Sequence, residues 1–155
     1  MDITFPTPGK YLLFADVQPK GEEQQTVRHE LLVNGSPPKA PKLNVDVPGT
    51  VHVGDYLVKV KLERSDTEAK ISFEISDADG KPLGDLEPYL GAMGHLVVIK
   101  SENREYIHAH AETQSAPNGL VEFAVHFTGP GIYKAWGQFQ RNGQVFTVPA
   151  VLKVD

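Results

Sequence analysis

Residues 127–154 read FTGPGIYKAWGQFQRNGQVFTVPAVLKV. Two runs rich in Val, Ile, Tyr, Phe and Thr meet at Asn142-Gly143. Asn-Gly suits a two-residue hairpin turn, because both positions must take positive φ. The spacing therefore predicts an antiparallel pair, Ile132–Arg141 with Gln144–Val154. Working back along the chain, the same composition recurs in short runs: Lys10–Val17, Gln25–Val33, His52–Glu63, Lys70–Ser76, Leu96–Lys100, Glu105–Ala111 and Val121–Phe127. Turn residues separate them at Asp79-Gly80-Lys81, Pro117-Asn118-Gly119 and Pro130-Gly131. The best helical candidate, LEPYLGAM from Leu86, is broken by Pro88 and Gly91 and reads as a loop. Short, regularly punctuated strands of this kind predict an all-β chain folded as an antiparallel sandwich.

The closing hairpin has an echo. FPTPGKYLLFADVQPKG from Phe5 aligns with FTGPGIYKAWGQFQRNG from Phe127, matching Pro8-Gly9 to Pro130-Gly131, Tyr11 to Tyr133, Phe14 to Trp136 and Gly21 to Gly143. After a slip of one residue, Thr26-Val27 matches Thr147-Val148, and Leu31 and Val33 match Leu152 and Val154. The expected organisation is a β-hairpin over residues 1–34, read as the remnant of a preceding repeat. A proline-stiffened linker (GSPPKAPK) follows over 35–42, and a sandwich of about seven strands over 43–155. A lone hairpin is marginal in water, so this one is expected to pack on the sandwich or to pair with another chain, a second copy included.

Composition removes several function classes. With 15 basic and 20 acidic residues the net charge is −5, and without a basic block nucleic acid is not an expected partner. No apolar run is long enough to span a membrane. Met1–Lys10 has neither the charged start nor the apolar stretch of a secretion signal. Cysteine is absent, which excludes disulfides, zinc-thiolate sites and a thiol nucleophile. Ser65, Ser72, Ser76, Ser101 and Ser115 lie in no nucleophile-elbow context. No carboxylate pair stands out, and no Gly-rich phosphate loop opens a helix. The chain is not expected to be an enzyme.

What remains is GAMGHLVVIKSENREYIHAH, Gly91–His110. Side chains at i and i+2 share a strand face, so Met93 and His95 point one way, as do His108 and His110. If Lys100 pairs with Glu105 around a four-residue turn, Ser101–Arg104, then His95 lies opposite His110, and Val97 opposite His108. Opposed Cβ atoms stand roughly 4.5–5.5 Å apart, close enough for imidazoles to share one ion. A three- or five-residue turn would put the pairs on opposite faces. Imidazole suits copper, zinc, nickel and iron, and a thioether shifts the choice toward copper. The candidate ligands are Met93, His95, His108 and His110, with copper first, zinc second, and Glu112 as a carboxylate in reach. His29, His52 and His126 read as surface residues. Asp77-Ala-Asp79-Gly80 reads as a turn, since the distal Glu of a calcium loop is missing.

MGHLVVI, a polar turn, YIHAH and then PGIYKAWGQFQRNGQVFTVP together resemble a group of bacterial extracytoplasmic tandem Ig-like β-sandwich proteins, loosely YtkA-like and FixH-like. The resemblance runs from about Gly54 to Val154. It implies an Ig-like fold, a periplasmic or secreted location, and handling of a metal, copper in particular. Two positions depart from the pattern: Gly94 separates Met93 from His95, and Ala111 stands where Pro is expected. The expected function is non-enzymatic transition-metal binding, and the alternative is a metal-free interaction or accessory module.

Overall fold

A computed structural model describes residues 3–23, 25–65 and 68–155. The chain divides into two compact units, Met1–Lys42 and Leu43–Asp155.

The first unit is one antiparallel hairpin, β1 (Gly9–Val17) with β2 (Gln25–Val33). Gly9 opposes Val33, Tyr11 opposes Leu31 and Val17 opposes Gln25. Tyr11 fixes the entry to β1: its hydroxyl donates to the Thr7 carbonyl at 2.8 Å, and its ring lies 4.7 Å from that of Phe5. No described residue of this unit is buried.

The second unit holds two four-stranded antiparallel sheets. One sheet has the order β3-β4-β5-β8, formed by Gly49–Val53, Tyr56–Arg64, Ala69–Asp77 and Leu120–Val125. The other has the order β10-β9-β6-β7, formed by Gln144–Val154, Gly131–Arg141, His95–Lys100 and Tyr106–His110. Eight strands result because the run expected over His52–Glu63 is two strands. Val53 pairs with Tyr56 across a tight turn at Gly54-Asp55, where Gly54 takes φ +55°. The apolar alternation continues through that turn and masks it.

Alternation buries one face of each strand. Val58, Val60, Ile71, Phe73 and Phe123 from the first sheet meet Leu96, Val98, Tyr133, Phe139 and Leu152 from the second in one hydrophobic core. Phe139 bridges the layers, with its ring 5.2 Å from Phe73 and 6.2 Å from Phe123. This arrangement of two sheets about a shared core is that of a β-sandwich. The layers meet so closely at Gly137 that a Cβ there would lie 2.9 Å from both Phe139 and Phe73.

The sequence echo is also an echo in register. Tyr133 opposes Leu152, Gly137 opposes Val148 and Gly131 opposes Val154, the counterparts of Tyr11 with Leu31, Ala15 with Val27 and Gly9 with Val33. Tyr133 donates its hydroxyl to the Gly129 carbonyl at 2.7 Å and lies 4.8 Å from the Phe127 ring. Tyr11 makes the same two contacts in the first unit.

Candidate metal centre

The site begins with the turn between β6 and β7. The Lys100 amide donates to the Glu105 carbonyl at 3.0 Å, and the Arg104 amide donates to the Lys100 carbonyl at 3.0 Å. Arg104 takes φ +61°, and the Glu105 amide is held by the Asn103 side-chain oxygen at 3.1 Å. This is the four-residue turn that the histidine spacing requires. It sets His95 opposite His110 and Val97 opposite His108. Leu96 and Val98 enter the core, with Ile107 and Ala109 packed against it. The histidines accordingly occupy the other face of the sheet.

On that face the imidazoles converge. One nitrogen from each of His95, His108 and His110 lies within 4.8 Å of the others. The ring centroids are 4.8 Å apart for His95 and His110, 4.7 Å for His108 and His110, and 5.8 Å for His95 and His108. Among the described residues these three form a group that can hold a metal ion. Burial is graded: His95 is 8 % exposed, His108 is intermediate and His110 is open to solvent. Nitrogens about 2.0–2.1 Å from one tetrahedral ion stand about 3.4 Å apart, so modest side-chain rotations suffice to close the set.

His95 owes its burial to the segment between β5 and β6. Tyr89 and Ala92 exchange backbone hydrogen bonds of 2.8 and 3.1 Å around Leu90-Gly91, both at positive φ. This turn presents the Tyr89 carbonyl to His95 Nε2 at 2.8 Å and sets the Tyr89 ring edge-on, 5.7 Å from the imidazole. A carbonyl only accepts, so Nε2 carries the proton and Nδ1 keeps the lone pair that a metal would use. A ligand histidine bonded to a backbone carbonyl through its other nitrogen is the usual outer support of a metal site.

The same segment is tied to the β9–β10 turn. The Glu87 amide donates to the Gln140 carbonyl at 2.9 Å. The Glu87 carboxylate accepts from the Gly143 amide at 2.9 Å and from Gln140 Nε2 at 3.0 Å. Arg141 donates two bonds of 2.9 Å to the Asp85 carboxylate. The Gly143 amide first, and then Gln140, hold the Glu87 carboxyl below the ordinary carboxylate range. The Arg141 guanidinium does the same for Asp85.

Met93 is placed differently from the imidazoles. It is 4 % exposed and belongs to the hydrophobic core cluster. With His110, Leu90 and Thr113 it lines an open hollow of about 320 Å³ beside the histidines. Gly94 keeps this entry to β6 tight, since a Cβ there would lie 2.9 Å from Phe139. Glu112 is exposed, and its amide donates to the Glu122 carbonyl, which carries the chain toward β8. His29, His52 and His126 are exposed, as expected. Asp77–Gly80 is a turn whose Asp77 side-chain oxygen accepts from the amides of Asp79 and Lys81. The spacing did not point to Tyr89, because a backbone carbonyl carries no residue-type signal.

Residues 49–155 match the model of a family described as a domain of unknown function (DUF8832). No curated protein and no solved structure matches the chain.

Proposed function

The chain belongs to the DUF8832 family, whose description assigns no activity, and we propose from its own residues that it binds a transition metal, copper first, without catalysing a reaction. The observation that carries this reading is the convergence of three imidazole nitrogens, from two neighbouring strands, within 4.8 Å. His95 supplies the anchored ligand through Nδ1. His108 supplies the second, and the exposed His110 the one an incoming ion meets first. The hollow beside His110 leaves room for a fourth ligand, whether the Met93 thioether or a group brought by a donor or acceptor of the ion. Imidazole favours copper over zinc, and a thioether ligand drawn from the hollow that Met93 lines would strengthen that preference. A graded, half-open site suits exchange of the ion better than its permanent burial. The resemblance of the histidine strands to extracytoplasmic sandwich proteins is what supports a location in the bacterial envelope for this exchange.

Titration of the metal-free chain with Cu(I), Cu(II) and Zn(II) tests the reading. One equivalent is expected to bind, with copper tighter than zinc. Trp136 gives a built-in reporter, since it lies in the ladder row Trp136, Val97, His108, about 10 Å from His108 by strand spacing. Cu(II) is expected to quench its fluorescence stoichiometrically. His95→Ala with His110→Ala is expected to abolish both signals while leaving the fold intact by circular dichroism. Unchanged affinity in that double variant would overturn the proposal.

A further inference from the structure

The first unit carries a separate reading that involves none of the histidine cluster. We propose that β1 is a self-pairing edge: two copies of the chain join β1 to β1 antiparallel, about a two-fold axis through Leu13, to make the four-stranded sheet β2-β1-β1-β2.

Three observations lead there. The unit has one sheet of two strands, and none of its described residues is buried. Such a ribbon needs more strands or a second layer to be stable. Its counterpart in the sandwich shows which edge should be extended. β9 pairs with β10 on one side and with β6 on the other, whereas β1, among the described residues, pairs with β2 alone.

The two edges are also unequal. β2 reads QTVRHELLV, with Arg28, His29 and Glu30 at its centre, and charged residues of this kind discourage edge pairing. β1 reads GKYLLFADV, with apolar residues from Tyr11 to Ala15 and no proline. It has none of the usual guards in its middle.

The occupant follows from charge. Around Leu13 the strand is self-complementary, as an isologous contact must be. A two-fold at Leu13 sets Lys10 opposite Asp16 of the second copy, Tyr11 opposite Ala15, and Leu12 opposite Phe14. Lys10, Leu12, Phe14 and Asp16 share one face by alternation. The join would thus carry a stripe of two Leu–Phe pairs closed at each end by a Lys–Asp pair. Within its own chain Lys10 contacts Glu30 at 2.6 Å, and Asp16 accepts from Thr26 at 2.6 Å. Lys10 has three donors and is well exposed, so it can serve Glu30 and the second copy together. Any other register, or a β1–β2 join, loses this match of charge.

Sedimentation equilibrium of the full chain with a chelator present tests the pairing. At ~0.1 mM, where weak interfaces populate, a mass twice the 17.0 kDa of one chain is expected. Lys10→Glu and Asp16→Lys should each raise the dissociation constant on the order of tenfold, since each sets like charges opposite one another twice. An equimolar mixture of the two variants should associate again, because every altered charge then meets its opposite. The chain has no native cysteine, so Leu13→Cys offers a second measurement. It should oxidise rapidly to a covalent dimer, whereas Val17→Cys should not. A monomeric wild type would overturn the proposal. So would single variants that associate as the wild type does, a mixture no stronger than its components, or equal crosslinking at both cysteine positions.

Discussion

The chain contains one hairpin twice, in two settings. β1–β2 and β9–β10 share a strand register, a tyrosine bonded to the carbonyl four residues before it, and an aromatic ring packed on that tyrosine. Around β9–β10 the inward side chains Tyr133, Phe139, Val148 and Leu152 are fully buried against the opposite sheet. Around β1–β2 the equivalent Tyr11, Val17, Val27 and Leu31 are at most half-buried. Register therefore arises within the hairpin, from its glycines and its tyrosine. Burial does not, since it comes from whatever lies across from the inward face. The same local sequence should thus contribute to stability very differently in the two places.

The largest expected contrast is at the leucine that opposes the tyrosine. Leu152 is fully buried, and Leu152→Ala should destabilise the sandwich by about 2–5 kcal/mol, the usual cost of a lost core leucine plus its cavity. Leu31→Ala removes a half-buried side chain and should leave the urea midpoint of the sandwich where it was. Its effect should appear as faster amide exchange in β1 and β2 alone. Equal losses in the urea midpoint would mean that the two hairpins are not in different settings after all.

This contrast also explains what could be read from the sequence. The β6–β7 register was legible as a condition, because parity is set by one countable quantity, and the structure supplies the count: four residues between Lys100 and Glu105. His95, His108 and His110 follow from that count. Met93 precedes β6, where Gly94 packs against Phe139, and it joins the core cluster while lining the hollow beside His110. The Gly54-Asp55 turn was hidden because Val51, Val53 and Leu57 continue an apolar pattern through it. Tyr89 acts through its main-chain carbonyl, and no side-chain pattern encodes that. Local periods and turn lengths were readable. Contacts made across layers or by the backbone were not.

An intermediate effect should separate the two hairpins at the third inward position, which is Gly137 in β9 and Ala15 in β1. A methyl at Gly137 has no room against Phe73 and Phe139, and Gly137→Ala should cost about 1–3 kcal/mol by overpacking. β1 already carries that methyl, on a residue that is exposed. There the reverse change, Ala15→Gly, should be the unfavourable one. It would weaken the hairpin by about 0.5–1 kcal/mol through the backbone entropy of glycine. The two swaps convert each hairpin into the other's sequence at one position, and both should destabilise, for opposite reasons. Urea unfolding reads the first and amide exchange in β1 the second. A neutral Gly137→Ala would show that the close approach of the layers relaxes without penalty.

The smallest contrast is at the tyrosines themselves. Tyr133→Phe leaves the ring in the core and removes only the bond to the Gly129 carbonyl, so that acceptor loses its partner in a half-buried setting. About 1 kcal/mol is the expected loss, the net worth of one such hydrogen bond plus part of the acceptor's desolvation. Tyr11→Phe removes the matching bond to Thr7 at a position where water can take over the carbonyl. Its cost should fall below that of Tyr133→Phe and appear only in the exchange rates of the Thr7–Tyr11 amides. If the proposed β1–β1 pairing holds, the difference should narrow with protein concentration, because joining the strands draws water away from Tyr11. Exchange measured at two concentrations therefore separates the intrinsic contribution of the tyrosine bond from that of its surroundings.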